Sequence, residues 1–147
     1  MFINNNKTYI KKVSYQKNWY VINAKNQNLG RISSKIAYIL KGKNDVTYLP
    51  YQESNTNIII INSKYISVTG KKQKEKTYKK HSGKPGSLKI NTFNDVQKKM
   101  PNKIIQHAVK GMLPKNSLGR KLLKKLKVYS DNKHPHNSQK PIHLTTN

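Results

Sequence analysis

Apolar residues along this chain fall in short runs and in regularly spaced sets, separated by long polar stretches rich in lysine. Trp19-Tyr20-Val21-Ile22 is a run of β-favouring residues and predicts a buried strand. After a turn at Asn26-Gln27-Asn28, the apolar positions Leu29, Ile32, Ile36, Ile39 and Leu40 recur at helical spacing, with Gly42 as the stop. The stretch from Asn55 to Asn62, with isoleucine at each of Ile58 to Ile61, predicts a second strand. Strand, helix, strand, with both strands apolar on both faces, predicts a βαβ unit with parallel pairing. Tyr65-Ile66-Ser67-Val68-Thr69 predicts a third strand ending at Gly70.

The pattern then lapses. Residues 71–89 predict a long basic loop, and a loop of that length in a compact domain is functional or disordered. Thr92, with Asp95 three residues on, opens a helix that stops before Pro101. Ile104, Ile105, Ala108, Val109 and Met112 mark the next helix. A further helix is predicted from Ser117 to Lys127, with Leu118, Leu122, Leu123 and Leu126 on one face, followed by a short strand at Val128-Tyr129. Residues 1–17 and 130–147 have no apolar period. They read as a basic N-terminal arm and an extended C-terminal tail on either side of one α/β domain at 18–129.

Charge changes this picture most. The 147 residues hold 30 Lys plus Arg against 5 Asp plus Glu, a formal net charge of +25. Self-repulsion on that scale works against a compact state, and an anionic partner is the natural reason to carry it. A polyanion rewards such a surface by releasing counterions as phosphates are neutralised, which points to nucleic acid. With no cysteine, a disulfide, a thiolate nucleophile and a Cys-ligated zinc are excluded. No apolar stretch approaches the roughly 20 residues of a membrane span, and the first residues have no secretory h-region. Asp45, Glu53, Glu75, Asp95 and Asp131 are scattered, so paired-carboxylate or two-metal catalysis is not indicated. No catalytic residue, metal, cofactor or small-molecule substrate is expected.

Three segments carry candidate chemistry. On the predicted Ser117–Lys127 helix, Arg120, Lys121, Lys124, Lys125 and Lys127 fill the circumference that the leucines leave, with no carboxylate among them to pair with. Basic amphipathic helices also bind anionic lipid, but this one lacks an interfacial Trp or Phe. In the basic loop, Lys71 and Lys72 precede Tyr78-Lys79-Lys80-His81-Ser82-Gly83-Lys84. Its glycines would let backbone N–H groups approach a phosphate, and Tyr78 or His81 could stack on an unpaired base. The P-loop spacing is absent, and Pro85-Gly86 reads equally as a plain turn. In the tail, His134-Pro135-His136 lacks the support of a metal site and reads as RNA contact or solvent-exposed. Arg31 and Arg120 are the only arginines in a Lys-, Asn-, Ile- and Tyr-rich sequence, a bias that fits an AT-rich genome. A guanidinium kept against that bias suits forked phosphate contacts.

Ala108-Val109-Lys110-Gly111-Met112-Leu113-Pro114-Lys115-Asn116, then Leu118-Gly119-Arg120, then Leu126-Lys127-Val128-Tyr129, closely resembles the signature of the L13 family of large-subunit ribosomal proteins, in its bacterial and plastid form. Trp19-Tyr20-Val21, Leu29-Gly30-Arg31, Val68-Thr69-Gly70-Lys71, Tyr78 to Gly86, His134-Pro135-His136 and Gln139 with Pro141 are similar to the family in the same order. The resemblance implies a three-layer α/β/α fold on a mostly parallel four-stranded sheet, with basic arm, loop and tail. It implies a structural constituent of the large ribosomal subunit that binds its rRNA, neighbours other large-subunit proteins and supports early assembly. The matched positions are Arg31, Lys71, His81, Gly83, Lys110, Lys115, Arg120, Lys127 and His134. Ser87 and Asn55 stand where bacterial members commonly have glycine. The compositional bias with bacterial-type motifs implies a plastid ribosome, with an AT-rich bacterium as the other source. The reading from charge alone leaves a second class open, a free-standing regulator that binds another nucleic acid or an anionic membrane.

Overall fold

The computed structural model describes residues 17–145. In chain order these form β1 (Asn18–Asn23), α1 (Leu29–Leu40), β2 (Thr56–Ile61), a 3-10 turn at Ser63–Tyr65, and α2 (Lys72–Glu75). There follow β3 (Thr77–Lys80), β4 (Lys89–Thr92), α3 (Phe93–Lys99), α4 (Pro101–Met112), α5 (Ser117–Lys124), β5 (Leu126–Val128), a 3-10 turn at Asn137–Gln139, and β6 (Ile142–His143). All but Lys17 of the expected N-terminal arm lies outside the described residues.

The expected α/β architecture is present. Four strands lie side by side in the order β5-β2-β1-β6, every neighbouring pair is parallel, and helices flank them. The βαβ unit forms because each of its ends has a local stop. Asn28 caps α1, its side chain accepting a hydrogen bond from the Gly30 N–H at 3.1 Å. Gly42 ends the exit from α1 at φ +76, where a β-carbon would also stand 2.9 Å from that of Ser54.

The two faces of the sheet are packed unequally. Ile22, Ile58, Ile60, Leu126 and Val128 join the main core with Ile32, Ile36 and Leu40 of α1, Phe93, and Ile104, Ile105 and Val109 of α4. Val21, Ile59 and Ile61 form a small second cluster with Trp19 and Tyr129 packed against it. Each fully buried aliphatic side chain contributes about 1.5–3 kcal/mol, and this core opposes the self-repulsion of a +25 chain.

The structure corrects the pattern in four places. Tyr65–Thr69 is not a strand. Asn62 adopts left-handed backbone at φ +60, the chain turns, and Ser67 makes one isolated bridge to Asn28 while Ile66 anchors in the core. The long basic loop is instead α2 and an antiparallel hairpin, with Lys79 opposite Ile90 and Lys80 opposite Lys89. The helix expected from Ser117 to Lys127 ends at Lys124, and Leu126 belongs to a strand. In β5 Leu126 and Val128 point into the core and Lys127 points out, a period of two that two leucines at helical spacing conceal. Finally, the fourth strand of the sheet comes from the C-terminal segment, where Tyr20 pairs with Ile142 and Val21 with His143.

Candidate nucleic-acid interface

The hairpin of β3 and β4 carries Lys79, Lys80, Lys84 and Lys89, all exposed, and Lys71 and Lys72 precede it on and beside α2. Its tip is held by side chains. The Ser87 hydroxyl donates to the Lys84 carbonyl at 2.7 Å, accepts from the Ser82 N–H at 3.3 Å and lies 2.8 Å from the Ser82 hydroxyl. Pro85 and Gly86, the latter at φ +74, form the turn between Lys84 and Ser87. The Gly83 N–H, expected to face a phosphate, donates here to His81 Nδ1 at 2.9 Å. The lysines are the exposed cationic groups of the tip.

Tyr78, the expected stacking residue, has partners within the protein. It is half-buried against the main core and meets the ring of His107 edge-on, with centroids 5.5 Å apart. Burial pushes its hydroxyl above the usual phenol value. Lys76 lies over the same ring, its Nζ 5.7 Å from the centroid. Tyr78 thus fastens the hairpin to α4.

At the junction of α4 and α5 the signature residues close around a cleft of about 370 Å³. Leu113, Pro114 and Leu123 supply its apolar lining, and Lys110, Lys115, Arg120 and His107 its polar rim. The junction is tight because α5 begins almost against the preceding turn. Asn116 caps it, its side chain accepting from the Gly119 N–H at 2.8 Å, and Gly119 packs directly on Pro114. Pattern reading finds the cations of this cleft but not the cleft, since its walls come from two helices and the turn between them.

Lys121 and Lys124 are exposed on α5, and Lys127 on β5. Lys125 departs from the expected basic face. Its side chain is only 18% exposed, pairs with Glu53 at 2.9 Å and donates to the Ser54 carbonyl. The absence of carboxylates along the helix did not exclude a carboxylate from 72 residues away, 125 minus 53 in the sequence. Arg31 is exposed in the first turn of α1, outside the cleft.

His134 and His136 are half-buried beside the second cluster, His136 against Trp19 and Tyr129. His136 is hydrogen-bonded through Nε2 to the Tyr129 hydroxyl at 2.8 Å, and its ring stands 5.2 Å from that of Trp19. His134 Nδ1 accepts from the His136 N–H at 3.3 Å, and the two rings stack at 6.4 Å. Among the described residues, no three or more His, Cys, Asp or Glu side chains gather as a metal site would require. Among the same residues, no helix is long and apolar enough to cross a membrane.

Glu53, Asp95 and Asp131 each have a partner of their own. Asp95 closes the capping box of α3, Asp131 pairs with Lys64 at 2.7 Å, and Glu53 pairs with Lys125. Glu75 and Asp95 flank the hairpin in sequence, and no carboxylate stands between Ser117 and Lys127.

Residues 17–135 match the family model described as ribosomal protein L13. The chain is 53% identical over 140 residues to the large ribosomal subunit protein uL13c of Gracilaria tenuistipitata var. liui, covering 95% of this chain and 98% of that protein. It is 54% identical over 136 residues to uL13c of Pyropia yezoensis, covering 92% and 96%. With uL13 of Thermosynechococcus vestitus it shares 55% identity over 129 residues, 88% of this chain and 85% of the relative.

Proposed function

The chain belongs to the ribosomal protein L13 family, and from that premise we propose that it binds large-subunit rRNA and supports early assembly of the subunit. It is a structural constituent of the large ribosomal subunit, in a family of structural proteins rather than enzymes. The hairpin lysines, with Lys110, Lys115, Arg120, Lys121 and Lys124, are the contacts to the RNA backbone. Phosphate contacts of this kind fix position and supply salt-dependent affinity. Other large-subunit proteins are its neighbours. The home of the chain is a plastid ribosome, a reading supported by the AT-rich compositional bias and by the uL13c and cyanobacterial uL13 relatives.

One observation carries this reading: exposed cations gather on the hairpin, the cleft rim and α5, while Glu53, Asp95 and Asp131 are engaged by Lys125, Thr92 and Lys64. Filter binding of the purified chain to transcribed large-subunit rRNA over a salt series tests it. If about six phosphates are neutralised, log K falls with log salt at a slope of roughly −5. A flat response would remove the electrostatic interface. Co-sedimentation with large subunits after a high-salt wash separates a ribosomal constituent from a free-standing regulator, which would stay in the supernatant.

A further inference from the structure

Two glycines line the cleft between α4 and α5, and only one of them is needed by the fold. A β-carbon at Gly119 would collide with Pro114, so glycine is imposed there. At Gly111 a β-carbon would meet nothing within 4 Å. Gly111 is the penultimate residue of α4, and in a helix glycine is less favourable than alanine by up to about 0.5–1 kcal/mol. Packing gives no reason for that cost. What glycine does at this position is leave a stretch of helix surface bare, open to the cleft.

The rest of the cleft says what would lie on that surface. Leu113, Pro114 and Leu123 make an apolar wall, and Lys110, Lys115 and Arg120 stand at its rim. Among the described residues, no carboxylate lines it. A volume of about 370 Å³ is near the lower end of the roughly 300–1,000 Å³ typical of small-ligand pockets. A rim of cations around a small apolar recess complements a flat, uncharged ring flanked by phosphates.

We infer that the cleft receives one unstacked nucleobase of the bound RNA, laid on the bare backbone at Gly111 and against the apolar wall. Lys110, Lys115 and Arg120 hold the phosphates on either side. This rests on the RNA-binding reading and adds to it a contact that depends on shape and not on charge. Single-stranded and bulged RNA is recognised through bases splayed out of the stack in this way.

The distinguishing variant is Gly111→Leu, which fills the recess without altering charge, with Gly111→Ala as the smaller step. Each is compared with the wild-type chain for thermal stability and for binding to transcribed large-subunit rRNA at several salt concentrations. The expected result for folded Gly111→Leu is about tenfold weaker binding, toward the low end of what one stacked base contributes. Its salt slope should match that of the wild type, whereas Lys110→Gln and Arg120→Gln should each reduce the slope. Wild-type affinity in folded Gly111→Leu, or a weakened affinity with a reduced slope, would overturn the base contact and leave RNA binding intact. Failure of the wild-type chain itself to bind the rRNA would overturn the parent reading. Ultraviolet cross-linking of the wild-type complex decides the matter even if Gly111→Leu does not fold. Bases cross-linked within residues 107–123 support the inference, and cross-links confined to other segments overturn it.

Discussion

Gly119 sits so close to Pro114 that a β-carbon on it would overlap the Pro114 carbonyl oxygen and stand 2.9 Å from the carbonyl carbon. Backbone, not a flexible side chain, occupies the space, so the clash has no inexpensive relief. Gly119→Ala should therefore destabilise the chain by about 3 kcal/mol, the upper part of the usual overpacking range. Gly111→Ala, in open space near the end of α4, should stabilise by up to about 0.5 kcal/mol. Urea unfolding of the two variants checks the pair, and equal effects would refute the assignment of different roles.

Lys125 and its neighbours on α5 should fail in different ways. Lys125→Gln breaks a partly buried pair with Glu53 and should cost about 1–2 kcal/mol of stability, between the values for exposed and buried pairs. The double variant Lys121→Gln, Lys124→Gln removes exposed cations, and glutamine has similar helix propensity. It should keep its melting temperature, bind rRNA more weakly and reduce the salt slope by up to about 2. Melting curves and a salt series distinguish the two outcomes.

Ser87 ties the hairpin tip to Ser82 and Lys84. Ser87→Gly deletes those bonds and adds backbone freedom, so amide exchange at Ser82 and Gly83 should speed up while α4 and the sheet keep their protection. Unchanged exchange at the tip would show that Pro85 and Gly86 alone hold the turn.

At the start of α3, Thr92 donates its hydroxyl to the Asp95 carboxylate at 2.6 Å, and its N–H donates at 3.3 Å. Side-chain and then backbone hydrogen bonds from Thr92 hold the Asp95 carboxyl below its usual value of 3.8. A lowered folded pKa means stability that is present above the unfolded value and lost as pH falls through the folded one. The contribution should thus be complete at neutral pH and fade below about pH 3.8. Thr92→Ala removes the stronger bond and should flatten that acid-side loss while costing about 1 kcal/mol at pH 7 through the cap. Stability measured from pH 7 to pH 2 tests both parts.

What the sequence made legible follows a physical division. β1, α1 and β2 are legible in their own residues, because burial on both strand faces gives apolar runs and burial of one helix stripe gives a period. The hairpin is not, since its strands bury little beyond Tyr78 and its exposed positions are lysines. β6 is two residues long, too short for any period, and exists because β1 has a free edge beside it. The cations of the interface were readable by type. Their commitments were not: Lys125 to Glu53, Tyr78 to His107 and His136 to Tyr129 are contacts between elements, and no spacing within one element encodes them.

The strand order also fixes a timetable. β1 is the earliest strand of the described chain and β6 the latest, yet they lie edge to edge, Tyr20 beside Ile142. As the chain is synthesised, β2 can pair with β1 early and β5 can then extend the sheet on that side. The opposite margin of β1 stays bare until nearly all the remaining described residues have been made. An uncovered strand margin is a template for pairing with a foreign chain. For a nascent protein of this design, the interval between translating Asn23 and translating Ile142 is the window of greatest exposure to misassembly.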